Sequence, residues 1–250
     1  LPKNTVAVTF DDGYRDNFDV AAPILKRFGI PSSFFVTTGY IESGSVPWFS
    51  RLHRVFQDTR AASWPDPVTG RTYSLNDPRE RREAFLAISR RCASSKKTTQ
   101  DEILAAAEKA MEVSPEPEDG GDLMMSWDDI RAMHAEGFEI GSHTVSHPNL
   151  ALLRESSDLE RQIALSKRHI EDRLDASVNH FAYPNPIGQP HWTDRVREVV
   201  MASGYKSAST SVSGWVDRKS DLGSLRRMAC PHDLGLFVWR LELAFLGKVT

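Results

Sequence analysis

The chain has 250 residues, 40% hydrophobic and 26% charged, with a formal net charge of −3. That length buries a substantial core in one α/β domain or two small ones, and the near-neutral balance excludes the large basic field of a nucleic-acid binder. Two cysteines, Cys92 and Cys230, exclude a disulfide framework, no apolar run reaches the roughly 18 residues of a membrane span, and no leader-like segment is read at the start.

TVAVTF (5–10) is short, apolar and β-branched, and reads as a buried strand ended by Asp11, Asp12 and Gly13. NFDVAAPILKRFG (17–29) reads as a helix stopped by Gly29 ahead of Pro31, and SSFFVTT (32–38) as a second strand. This β-α-β unit favours a parallel sheet with right-handed crossovers. From about Trp48 to Asp122 the chain turns polar and helical, with candidate helices at 77–92 and 99–113, an interruption at WPDPVTG (64–70) and a surface linker at PEPEDGGD (115–122). Residues 45–122 are therefore expected to form a helical insertion within a single domain spanning 1–250, with too few apolar residues for a large core of its own. The basic stretches RERR (79–82) and SLRRM (224–228) read as solvated faces.

Regular alternation resumes at SWDDIRAMHAEG (126–137), a helix with Ser126 as N-cap, Asp129 completing a capping box, Trp127 packing beside the cap and Gly137 as stop. FEIGSH (138–143) is the third strand. Residues 156–174 form an amphipathic helix with Leu159, Ile163, Ile170 and Leu174 on one stripe. HFAYP (180–184) is the fourth strand, 193–204 a helix capped by Thr193, YKSAST (205–210) the fifth strand and LRRMA (225–229) a sixth. DLGLFVWRLELAFL (233–246) closes as an apolar helix. The pattern fits an open doubly wound sheet or a (β/α) barrel short of eight units.

Both architectures place their sites at the C-terminal ends of the strands. Asp11, Asp12, His143, His147, Tyr183 and Pro184 all fall there. His143 and His147 stand four residues apart, and on a helical turn they share one face. Two imidazoles and one carboxylate hold a divalent ion with coordination positions left open, and a second carboxylate beside it can take a proton from water. Adjacent aspartates would then divide the work, provided that the backbone turns at Gly13. The donor set suits zinc first, with cobalt, nickel or iron as alternatives. His53, His134 and His169 lie on expected helices and read as structural.

TFDDG (9–13) and SHTVSH (142–147) resemble the first two motifs of the polysaccharide deacetylases of the NodB-homology type, carbohydrate esterase family 4. FAYP (181–184) with Gly188 resembles the third motif in the branch acting on poly-N-acetylglucosamine, and LRRMAC (225–230) resembles a late strand of that branch. The resemblance implies a distorted (β/α) barrel with fewer than eight strands. It implies removal of N-acetyl groups from an amino-sugar polymer or oligomer, releasing acetate. It makes Asp12, His143 and His147 the metal ligands and Asp11 the base toward a metal-activated water, and it makes the backbone N–H of Tyr183 the oxyanion donor.

Tyr14, Pro184 and Trp215 are the candidate substrate contacts, and Trp192 is a second aromatic near them. Members of the family often carry in the third motif an Arg that contacts the catalytic Asp. Ala182 stands there instead, so either Asp11 is tuned differently or another group supplies the charge. The fifth-motif His acid is absent, and His232 in CPHD (230–233) is its candidate substitute. The expected partner is an acetylated glycan, with no nucleic acid, and the expected compartment is the cell envelope or another extracytoplasmic site. A glycan-binding relative with decayed catalysis and a hydrolase of a non-sugar amide are the alternatives.

Overall fold

The computed structural model describes residues 4–114, 123–184 and 190–248. In chain order the elements are β1 (Val8–Phe10), α1 (Ala22–Arg27), β2 (Ser32–Val36), α2 (Thr38–Ser43), α3 (Trp48–Asp58), β3 (Ser63–Pro65), β4 (Thr72–Ser74), α4 (Pro78–Ala93) and α5 (Lys97–Ala110). There follow α6 (Trp127–Ala135), β5 (Glu139–Ser142), α7 (Ser156–Glu160), α8 (Ser166–Leu174), β6 (His180–Ala182), α9 (Asp194–Ala202), β7 (Ser207–Ser209) and α10 (Leu234–Phe245). Single π-helical turns lead into α1 (Asn17–Ala21) and join α7 to α8 (Arg161–Leu165).

Five strands form the main sheet in the order β1-β2-β5-β6-β7, and every pairing is parallel. Apart from the hairpin β3–β4, each strand lies beside its predecessor in the chain. A doubly wound sheet reverses direction at a switch point; this sheet never does, which is how a barrel wall is wound. It also curls: Arg227, beyond β7, donates to the Thr210 carbonyl (3.0 Å) and reaches across to Thr9 Oγ1 (3.2 Å) on β1. The fold is thus a partial, distorted (β/α) barrel.

The outer strands differ from expectation. β1 is an edge strand whose residues are half-buried rather than buried. LRRMA is not a sixth strand: Leu225 alone makes a parallel bridge to Ser209, and the Arg227 N–H then turns to the Val212 carbonyl (3.1 Å). The run leaves the ladder because its next residues pair with the loop after β7.

The helix signals behave as their chemistry dictates. At the end of α1 the Ile30 N–H reaches the Leu25 carbonyl (2.9 Å) and Gly29 takes φ +63°, a left-handed stop. Ser126 and Asp129 form the reciprocal capping box of α6. Leu159, Ile163 and Ile170 are fully buried, as the stripe predicts.

The insertion shares the main core instead of standing apart from it. Trp48, Leu52, Val55, Trp64, Tyr73, Ile88, Leu104 and Met111 join Phe34, Val36, Ile140 and Phe181 in one continuous cluster. WPDPVTG, read as an interruption, is the tip of the β3–β4 hairpin, where Asp66 N–H donates to the Arg71 carbonyl (2.8 Å) and Gly70 takes φ +71°. The linker 115–122 lies outside the described residues. α10 forms as expected, yet buries none of its residues.

Candidate active site

The two aspartates reach one site because the chain turns between them. Asp12 takes φ +75° and Gly13 φ +92°, and the Gly13 N–H closes back on the Asp11 carbonyl (3.0 Å). A side chain at Gly13 would be strained by its φ and would also press on Ile41 Cδ1 at 3.2 Å.

Beyond β5, His143 and His147 turn towards Asp12. Asp12 Oδ1 lies 3.4 Å from His143 Nε2 and 3.2 Å from His147 Nε2. His143 is anchored from behind, its Nδ1 2.8 Å from the Ala182 carbonyl. A carbonyl only accepts, so Nδ1 carries the proton and the Nε2 of neutral His143 presents a lone pair to the carboxylate. Acceptor faces acceptor, and the buried Asp12 Oδ1 makes no good hydrogen bond among the described residues. An orphaned buried oxygen flanked by two imidazoles is what a divalent cation satisfies, and one ligand atom from each of Asp12, His143 and His147 falls within 4.8 Å of the others. The residues fit the ion that the resemblance implies.

Burial opposes ionisation of Asp12, but the close approach of His143 and His147, and their charge when protonated, outweigh it and hold its carboxyl far below the usual range. Burial likewise acts to lower the His143 pKa; the charges of Asp11 and Asp12 reverse this and raise it. At His147 burial wins and the pKa is lowered.

Asp11 has different surroundings. Arg227 grips it with both ends of the guanidinium, Nη1 to Oδ1 and Nη2 to Oδ2, each at 2.7 Å. Burial pushes its pKa up, and His143 together with the Arg227 fork pulls it below the ordinary carboxylate value. Arg227 is therefore the charge missing at Ala182, and no solvated face. The signal that points to it in sequence is the Ala182 departure itself, which allows for a cation from elsewhere without saying which.

The insertion supplies the opposite wall. Trp48 Nε1 donates to the His147 carbonyl (3.2 Å), the Phe49 ring lies 4.6 Å from the His147 ring, and Tyr14 meets Phe49 edge-on at 6.4 Å. Tyr14 OH bonds Ser50 Oγ at 2.6 Å, and burial first, with the nearby Asp12 charge, pushes its phenol up to about 12. Tyr14, named in sequence as a candidate substrate contact, thus lines this wall together with Phe49, which the sequence reading missed. The site has a charged end at Asp11–Arg227 and an aromatic end at Phe49–Tyr14.

Four expected residues do not join them. The Tyr183 N–H is committed to the Ser209 carbonyl (2.9 Å) and its hydroxyl to the Gly223 carbonyl (2.8 Å), so the sheet consumes the donor meant for an oxyanion. Pro184 is buried and offers no surface to a glycan. His232 is exposed, just ahead of Asp233, the N-cap of α10, and among the described residues no contact ties it to Asp11. Trp215 stands 44% exposed, with no contact to the site among the described residues. Trp192 stacks on Tyr183 at 5.4 Å and acts as packing.

Comparison with known proteins places this geometry in context. Solved structures share the fold at low identity. One is a Streptococcus pyogenes deacetylase, PplD, in complex with acetate (TM-score 0.59, 18% identity, 96% of this chain and 72% of that one). Another is IcaB from Ammonifex degensii (0.56, 20%, 98% and 75%). A third is the BpsB deacetylase domain from Bordetella bronchiseptica (0.54, 15%, 91% and 72%). No curated protein matches the chain by sequence. The sequence profile described as Polysaccharide deacetylase matches residues 1–208, a span that holds the Asp pair, the His pair, four strands of the main sheet and the start of the fifth; the chain belongs to the polysaccharide deacetylase family.

Proposed function

We propose that the protein is a metal-dependent N-deacetylase of an acetylated amino-sugar polymer or oligomer. One observation carries this reading within the family: the ligand triad leaves Asp11 out, and Asp11 is kept ionised by a bidentate arginine. A site that only binds glycan has no use for a spare carboxylate so tuned, which argues against a decayed relative. A divalent ion held by Asp12, His143 and His147, with zinc the best match, would supply Lewis acidity toward the acyl carbonyl and toward water. Asp11 then takes the proton of the water whose oxygen bonds to the acyl carbon. The C–N bond breaks, the proton passes from Asp11 to the departing amine, and acetate and a free amino sugar result. Phe49 and Tyr14 offer aromatic surface to the glycan beside the reacting group. A glycan substrate favours the cell envelope or another extracytoplasmic location.

The test is acetate release from a panel of N-acetylglucosamine oligomers, with chelation and metal add-back. Asp12→Ala and His147→Ala should lose both ion and activity. Asp11→Asn should keep the ion and lose activity by about 10²- to 10⁴-fold. Undiminished acetate release by Asp11→Asn would remove the base from the scheme.

A further inference from the structure

The helix that follows the histidine loop is broken in register. α7 and α8 are joined by the π-helical turn Arg161–Leu165. A π turn adds one residue to the α repeat and so rotates the side chains after it by about 100°; such turns concentrate at functional sites. This one carries Gln162, a buried polar residue.

The whole Gln162 amide is spent on the loop between the two ligand histidines. Its Oε1 accepts from the Val145 N–H and the Ser146 N–H, each at 3.0 Å, and its Nε2 donates to Ser146 Oγ at 3.0 Å. That loop is under strain: Thr144 takes φ +70° and His147 φ +53°, and neither is glycine. Its carbonyls are held from the other side. Thr38 N–H donates to Thr144 (3.1 Å), Gly39 N–H to Val145 (2.8 Å), Tyr40 OH to Ser146 (3.4 Å) and Trp48 Nε1 to His147 (3.2 Å). Four donors from the α2–α3 side take the carbonyls, and one side chain takes the two N–H groups.

We propose that Gln162 is a positioning residue for the Asp12–His143–His147 triad, and that the π turn serves to bring its amide against the loop that spaces the imidazoles. Without it, the buried Ser146 N–H and the half-buried Val145 N–H lose their acceptor, the loop relaxes from its left-handed residues, and His147 leaves its place beside Asp12. The inference rests on the metal-site reading above, yet the clamp is a property of the chain alone.

Two measurements test it on the full chain. In the first, zinc affinity is measured by chelator competition. Gln162→Ala and Gln162→Leu should bind the ion about 10- to 100-fold more weakly. Gln162→Glu should restore most of the affinity, because a carboxylate accepts both N–H groups and the Ser146 hydroxyl can turn to donate. Leu159→Ala, a buried apolar position on the same helical segment, should lower the unfolding temperature and leave zinc affinity unchanged. The second is amide hydrogen exchange on metal-free protein: Val145 and Ser146 should lose protection in Gln162→Ala and keep it in Leu159→Ala. Wild-type zinc affinity in Gln162→Ala, or wild-type protection at both amides, overturns the proposal. If the wild-type chain takes up no divalent ion, the metal reading falls, and the exchange arm still decides the clamp.

Discussion

Asp11 and Asp12 are neighbours in the chain and opposites in their surroundings. Asp12 faces two imidazoles, of which neutral His143 presents only a lone pair, and Asp11 faces a guanidinium that donates twice. Both carboxyls are held low, one by histidines and the other by His143 and the arginine fork. A base works only when deprotonated, so with Asp11 in the proposed role activity should fall as pH drops through its pKa, and Arg227 should extend the working range downward. Arg227→Ala should therefore move the acid limb of the kcat/KM profile to higher pH and lower neutral-pH activity by roughly tenfold or more. Arg227→Lys keeps the charge without the fork and should fall between the two. An acid limb that stays in place would show that Arg227 does not tune Asp11. The aspartates and histidines were legible because each pair is local, two residues at a strand end or four apart in a loop. Arg227 was not, because an arginine in LRRM carries no local mark of the strand it reaches.

Among the elements, the insertion adds most to its sequence reading. The sequence left its role open, and α3 lays Trp48 and Phe49 against the His147 side of the site. Phe49→Ala should raise KM for a glycan by about tenfold with a smaller change in kcat, and leave metal content as in wild type; an unchanged KM would take the insertion out of substrate binding. The hairpin β3–β4 escaped the sequence because Pro65 and WPDP read as loop, although Trp64 and Tyr73 stack across it at 5.7 Å. Periodicity places a helix without revealing a π turn, since the apolar stripes on either side of one inserted residue each read as helical on their own. The hairpin tip is pinned by buried Asp66, which accepts from Arg91, the Val68 N–H and the Thr69 hydroxyl. Burial raises its pKa, and these partners outweigh burial and bring it from 3.8 to about 2. A depressed carboxylate adds stability that is present above its unfolded pKa and lost as pH falls through the folded one. Asp66→Ala should cost about 3–5 kcal/mol at neutral pH, and in denaturant titrations the gap to wild type should narrow as pH falls from about 4 towards 2. A gap constant over that range would mean that the pair contributes no ionic stabilisation.

For the molecule as a whole, the alternation of strand and helix announced the α/β class, and the strand order decided between the two architectures the sequence left open. That order depends on which strands pair at long range, and no local pattern encodes it. The same long range governs the site. Arg227 joins Asp11 across 216 positions and lies beyond the residues matched by the family profile. Synthesis delivers the aspartates first, then the histidines and, 80 positions after His147, the arginine. Until it arrives, the sheet can pair in full while Asp11 remains an uncompensated carboxylate at an unfinished seam. The nascent chain therefore completes its five strands before it holds the arginine that compensates Asp11, and the contact that closes the seam also fixes that carboxylate.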